Sequence, residues 1–325
     1  MSTPRQIFSI SSIALTLTGC QSTASRVKHY RDPSCIDLVL RYDETAAAPD
    51  YKAVSEPTRF DYEERVAFCD LSLNRPDHAA AVATSWPASM VVPRTQILAR
   101  AAAKVGDDAS ARKQLEALAE QRGTTPNHFL DPMEFRKYAG EDWFVTAAFR
   151  AWGRHRDSIA PEDLAAKVLG VRKEDLLTLG RASADPTEKV GSWAVWTGEV
   201  KDAKLNRDAG LTLIEAGGVD AAQRLTVFDR KLVKVETQQR RVSVGRSVWE
   251  GTPTYDTEET YEEEFVANGK AFIARVRGID EKLLDASYVV AIGRYVASPE
   301  GGPALLDALV IVPRSSRKTV KKKVD

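Results

Sequence analysis

Four histidines, three cysteines and a large set of scattered carboxylates are the side chains with which this chain could do chemistry. His29, His78, His128 and His155 lack the H-x-x-x-H spacing that sets two metal ligands on one helix face. His128, Asp131 and Glu134 form the one local set that a helical turn would gather. Asp131 stands just before Pro132, however, and capping of a helix start explains it more simply. The chain carries no G-x-S-x-G elbow, no phosphate-cradling G-x-x-x-x-G-K-[ST] loop and no G-x-G-x-x-G turn. Two carboxylates brought together from distant positions would still suffice for hydrolysis, so a hydrolase stands as a third reading behind two binding ones. Cys20, Cys35 and Cys69 include no C-x-x-C pair, which removes the usual support for dithiol redox chemistry or a zinc knuckle. No metal and no cofactor is expected.

The stretch Leu17-Thr18-Gly19-Cys20 resembles the lipobox of bacterial lipoproteins. Arg5 precedes an uncharged run from Gln6 to Gly19, which reads as a processing signal and is shorter than the roughly 20 residues needed to span hydrocarbon. The resemblance implies that residues 1–19 are a signal peptide removed before Cys20. It also implies that the Cys20 thiol carries diacylglycerol and its freed amine an acyl chain such as palmitate. Each buried methylene contributes about 0.8 kcal/mol, so two or more chains anchor stably. Gln21 follows in place of aspartate, which in known lipoproteins implies sorting to the outer membrane, facing the periplasm. Residues 20–29 then serve as lipidated cysteine and tether. With Cys20 acylated in an oxidising compartment, Cys35 and Cys69 remain as an even pair for one disulfide; the alternative is a pair of small buried hydrophobes.

Basic and acidic residues balance at 46 each, which argues against a nucleic-acid partner. From residue 30 to 180 the chain reads as a mostly helical domain. Ile36 to Leu40 is a short strand or helical turn, and Tyr62 to Leu73 a helix. Helical spacing then runs through Ile97, Leu98, Ala101 and Ala102, and through Leu115, Leu118 and Ala119. Asp131-Pro132 begins a helix loaded with Phe135, Tyr138, Trp143, Phe144, Phe149 and Trp152, aromatics more at home in a core than on a carbohydrate platform. Residues 163–177 resemble a helix-turn-helix turning at Gly170. Glu174 and Asp175 at the start of its second helix would repel phosphates, so a plain helical hairpin is expected. Residues 181–190 read as a linker.

Residues 191–313 carry short apolar alternations separated by turns, the pattern of a closed or nearly closed barrel. The phrases Trp196-Thr197-Gly198-Glu199-Val200, Phe272 to Gly278 and Tyr288 to Val296 resemble OB-like barrels of bacterial envelope proteins, most of all the Slp family of outer-membrane lipoproteins. The fold expected is therefore α+β: an N-terminal mostly helical unit followed by a C-terminal OB-like antiparallel β-barrel. OB barrels elsewhere bind oligonucleotides or sugars, which marks Trp196, Arg275, Arg277, Tyr288, Arg294 and Tyr295 as a candidate binding face. An acidic cluster, Asp256 to Glu264, reads as a solvated hairpin or a protein-contact surface. The basic tail, residues 314–325, reads either as an approach to lipid phosphates and acidic polymers or as a solubilising end. Together these features describe a non-enzymatic envelope lipoprotein acting in assembly or protein contacts. The competing class is a module binding envelope glycans or anionic lipids.

Overall fold

The computed structural model describes residues 34–155, 159–184, 189–219, 223–235, 254–265, 269–297, 302–314 and 317–324. The chain divides into two compact units at Ala101/Ala102, within one helix. This division falls ahead of the linker expected at 181–190 and groups the helices after residue 102 with the barrel.

The first unit is helical: α1 (Cys35–Ala47), α2 (Glu56–Ser72), α3 (Pro76–Thr84) and the start of α4 (Val91–Val105). Ser34 caps α1 by accepting the Asp37 backbone N–H at 3.3 Å, so Ile36 to Leu40 lies in a helix. Pro57 fits the first turn of α2, where its missing N–H costs nothing. A disulfide joins Cys35 to Cys69, tying the first residue of α1 to the last turns of α2. It closes a separation of 34 residues, which on the chain-entropy model contributes about 4 kcal/mol. Leu38, Val39, Tyr62 and Val66 pack in one cluster beneath this bond; Phe60, Leu71, Val82, Trp86 and Ile97 form a second.

In the second unit α5 (Asp108–Glu120) is capped by Asp107, which accepts the Ser110 N–H at 3.0 Å. A short α6 (Asn127–Leu130) and a 3₁₀ turn (Met133–Tyr138) replace the helix expected to start at Pro132. They lead into α7 (Asp142–Arg154), where Phe144, Phe149 and Trp152 are buried as core residues. Helix α8 (Pro161–Leu169) ends on Gly170 at φ +67°, a left-handed cap that suits glycine. No α-helix lies within residues 171–177. Lys173–Asp175 is one 3₁₀ turn, and Leu177 pairs with Ala194 as an isolated parallel bridge, because its side chain is drawn into the barrel core. The helical-hairpin expectation is corrected accordingly.

Five strands, β1 (Trp193–Asn206), β2 (Leu211–Gly218), β5 (Ala271–Arg277), β6 (Tyr288–Ala297) and β7 (Ala304–Arg314), close in the order β1-β2-β5-β7-β6. Counting barrel strands alone along the chain, the order is 1-2-3-5-4, an OB-like Greek key. The barrel is mixed rather than antiparallel, since β5 and β7 pair in parallel. An odd number of strands cannot alternate direction around a closed ring, so one neighbouring pair has to be parallel. Gly293 lets β6 and β7 meet: a Cβ there would fall 2.0 Å from the Asp307 carbonyl oxygen. Residues 177–182, including the start of α9 (Leu179–Ala184), add Leu177, Leu179 and Ala182 to the barrel core. Leu177 and Leu179, read as the end of a helical domain, and Ala182, read as linker, are thus part of the barrel's interior.

Between β2 and β5 the chain inserts β3 (Gln223–Val235) and β4 (Thr254–Phe265), and after β7 it adds β8 (Arg317–Val324). These three form a separate sheet in the order β3-β4-β8. The acidic cluster is therefore the central strand and the basic tail an edge strand beside it. Three ladder positions set a glutamate between two basic residues: Arg224, Glu264 and Arg317; Arg230, Glu259 and Lys322; Lys231, Glu258 and Lys323. The tail is an edge strand paired in backbone register with the acidic strand.

Candidate functional site

The six residues marked as a binding face do not come together on the surface. Trp196 and Tyr295 lie inside the barrel at 2% and 1% exposure, stacked edge-on with each other and, for Trp196, with Phe272. The Trp196 indole donates to the Leu177 carbonyl at 2.9 Å and the Tyr295 hydroxyl to the Ala182 carbonyl at 3.4 Å. Tyr288 is buried as well. Ala194 and Trp196 share the side of β1 that faces the barrel core. Trp196 and Tyr295 are thus barrel-core residues, and Tyr288 is buried outside that cluster, so the three do not form a surface face.

The arginines are on the outside but mostly engaged. Arg275 forms a two-pronged pair with Asp307 on the adjacent strand, one contact at 2.8 Å, and this bond holds the Asp307 carboxyl below the usual aspartate range. Arg294 lies over the Trp193 ring at 4.2 Å and donates to the Gly191 carbonyl. Arg277 differs: among the described residues its side chain makes no hydrogen bond and no ion pair, though its charge helps to lower the Asp307 carboxyl.

Arg277 stands at the edge of a groove of about 560 Å³ in the second unit. The groove is built by the ends of α5 and α7, the end of β5, the turn that follows it and the last residues of β7. Its floor is apolar, with Leu283, Val310, Ile311 and Val312 all buried. Gly153 fits α7 against β7: a Cβ there would meet a Val312 methyl at 2.8 Å. Arg150 and Arg154 line one wall and are held by Glu120, at 3.4 and 2.5 Å. Arg277 and Lys282 line the other, and Lys282 also has no side-chain partner among the described residues. Asp280 beside them is occupied as a cap, accepting the Lys282 backbone N–H at 3.1 Å. Apolar floor and unsatisfied positive rim suit a partner with an apolar face and carboxylates.

In the first unit, residues that the sequence reading passed over bring carboxylates inside. Asp70 is fully buried and its Oδ2 lies 2.5 Å from His78 Nδ1, while His78 Nε2 lies 3.2 Å from Asp43. Asp70 Oδ1 has no hydrogen-bond partner among the described residues, and burial pushes this carboxyl up from the usual aspartate value despite His78 and Arg75. Glu63, at 5% exposure, accepts the Tyr51 hydroxyl at 2.7 Å, and burial raises its carboxyl too. Nothing in the local pattern of α2 marks Glu63 or Asp70 as buried, because polar residues at helix spacing normally face water. His128, by contrast, is taken up by Thr125, whose backbone N–H it accepts at 3.0 Å; no group that could hold a metal is found among the described residues.

Cys20 and His29 lie outside the described residues. No helix among the described residues is long and apolar enough to cross a membrane. No family model, no curated protein and no solved structure matches the chain.

Proposed function

We propose that this chain is a lipid-anchored protein of the bacterial envelope that holds a partner protein at the outer membrane. The observation that carries the reading is the groove of the OB-like unit, where Arg277 and Lys282 stand unpaired beside the buried apolar floor. Its occupant is a partner segment with an apolar face and acidic flanks. The Cys35–Cys69 disulfide supports an oxidising compartment, and the lipobox-like Leu17 to Cys20 supports acylation of Cys20. Anchoring supplies the mechanism: a domain confined to the membrane surface meets membrane partners at a raised effective concentration.

The test uses the full chain in bacterial cells grown with labelled palmitate. Cys20→Ser should lose the label and leave the membrane fraction. A photo-crosslinker placed at position 277 should yield a reproducible protein adduct that Lys282→Glu abolishes. Unchanged membrane association of Cys20→Ser sinks the anchor. Recovery of glycan or anionic lipid with no protein adduct replaces the protein-contact reading by the module reading.

A further inference from the structure

The geometry points to a second ligand site, in the N-terminal unit, that takes a small zwitterion of the α-amino acid class. A cleft of about 500 Å³ opens between α1, the 3₁₀ turn Tyr51–Ala53, the first half of α2 and the turn at 85–87, a volume suited to a small molecule. Glu63 lines it and is at the same time one of the most buried carboxylates of the unit. One of its oxygens, Oε1, takes the Tyr51 hydroxyl. Arg59, one helical turn earlier on α2, brings Nε to 3.9 Å from that oxygen, too far for a hydrogen bond. Its guanidinium instead lies over the Phe60 ring at 5.1 Å.

The cleft therefore presents a carboxylate and a guanidinium of opposite sign side by side, within ion-pair distance but not hydrogen-bonded to each other. An α-amino acid carries its ammonium and carboxylate on one carbon, so the two charges are adjacent in the same way with the signs exchanged. The ammonium matches Glu63 and the carboxylate matches Arg59, which can donate two parallel N–H bonds. Tyr42, half-buried in the wall, adds an aromatic face beside the ammonium position. At the mouth Lys52 and Glu56 repeat the two signs, and neither has a side-chain partner among the described residues. A simple cation or a simple anion would satisfy only half of this lining. The disulfide holds α1, which carries Tyr42, to α2, which carries Arg59 and Glu63, and so keeps the two walls in place.

This site is independent of the groove and is tested separately. The full chain, purified in detergent, is titrated calorimetrically with each of the twenty L-amino acids, D-alanine and the dipeptide Ala-Ala. At least one should bind at millimolar concentration or better. Its N-acetyl derivative should bind the wild type roughly tenfold more weakly or worse. In Glu63→Gln the free and N-acetylated ligands should bind alike, and in Arg59→Gln the free acid and its amide should bind alike. Circular dichroism and thermal melting confirm that each variant is folded, and Tyr51→Phe serves as a milder perturbation if Glu63→Gln does not fold. Absence of binding by every probe overturns the proposal. So does a ligand whose N-acetylation penalty is the same in wild type and Glu63→Gln.

Discussion

In the barrel, Trp196, Tyr295 and Thr212 donate to the backbone carbonyls of Leu177, Ala182 and Gly278, and the core cluster around them is aliphatic or aromatic. In the N-terminal unit Glu63 and Asp70 bring carboxylates inside, and one Asp70 oxygen is left without a hydrogen bond. A neutral donor satisfied by a carbonyl costs little to bury, whereas a carboxylate loses far more hydration than one or two hydrogen bonds return. The N-terminal unit, which buries these two carboxylates, also carries the disulfide, whose constraint on the unfolded chain offsets such a cost. Stability in the barrel rests on close packing and in the N-terminal unit on a covalent staple.

The sharpest way to break the packed side is Gly293→Ala. Its methyl would overlap the Asp307 carbonyl and the Ala308 Cα, so β6 and β7 would have to separate. A loss of about 3 kcal/mol or more is expected, read as lost protease resistance of the barrel while the N-terminal unit stays resistant. Next comes the staple: Cys35→Ser with Cys69→Ser should cost about 4 kcal/mol on the entropy model if the unit is otherwise intact. Hydrogen exchange should show that loss in residues 34–101 and leave the barrel amides unchanged; an equal loss in both would erase the distinction between the units. Trp196→Phe, which strands the Leu177 carbonyl, should cost the barrel about 2 kcal/mol by denaturant melting.

The buried carboxylates give a pH signature with a definite sign. Glu63 is raised in the folded unit above its ordinary 4.5, so between those two values the folded form binds more protons than the unfolded one. Its contribution to stability therefore improves as pH falls through that window and is adverse above it. Glu63→Gln should raise the melting temperature of the N-terminal unit at neutral pH, and the advantage should vanish below about pH 4.5. An advantage that grows on acidification would reverse the assignment. The smallest effect belongs to the groove: Lys282→Glu should change stability by less than about 0.5 kcal/mol while abolishing the crosslink from position 277.

Several elements could be read from neighbouring residues alone. The alternation through Trp193 to Gly198, the short runs near Phe272, Tyr288 and Leu305, and the helix ended by Gly170 all lie where local pattern put them. The candidate binding face failed because alternation says which residues share a side but not which side closes inward. Trp196 looked like a binding residue for the same reason that it is a core residue: it is large, aromatic and carries one donor. Leu177 to Ala182 looked like the end of a helical domain because nothing local signals that a segment will enter a barrel. Glu63 and Asp70 left no mark in the periodicity of α2.

The sequence by itself determined the class of elements, the pairing available to Cys35 and Cys69, and a lipobox-like stretch at Cys20, because each depends on residue types a few positions apart or on a simple count. Tertiary structure alone decided that the basic tail lies beside the acidic strand and that Gly153 and Arg277 border one groove. It also decided that Tyr51 meets Glu63. These arrangements join residues distant along the chain, and they follow from strand order, barrel closure and helix packing, which no short window of sequence contains.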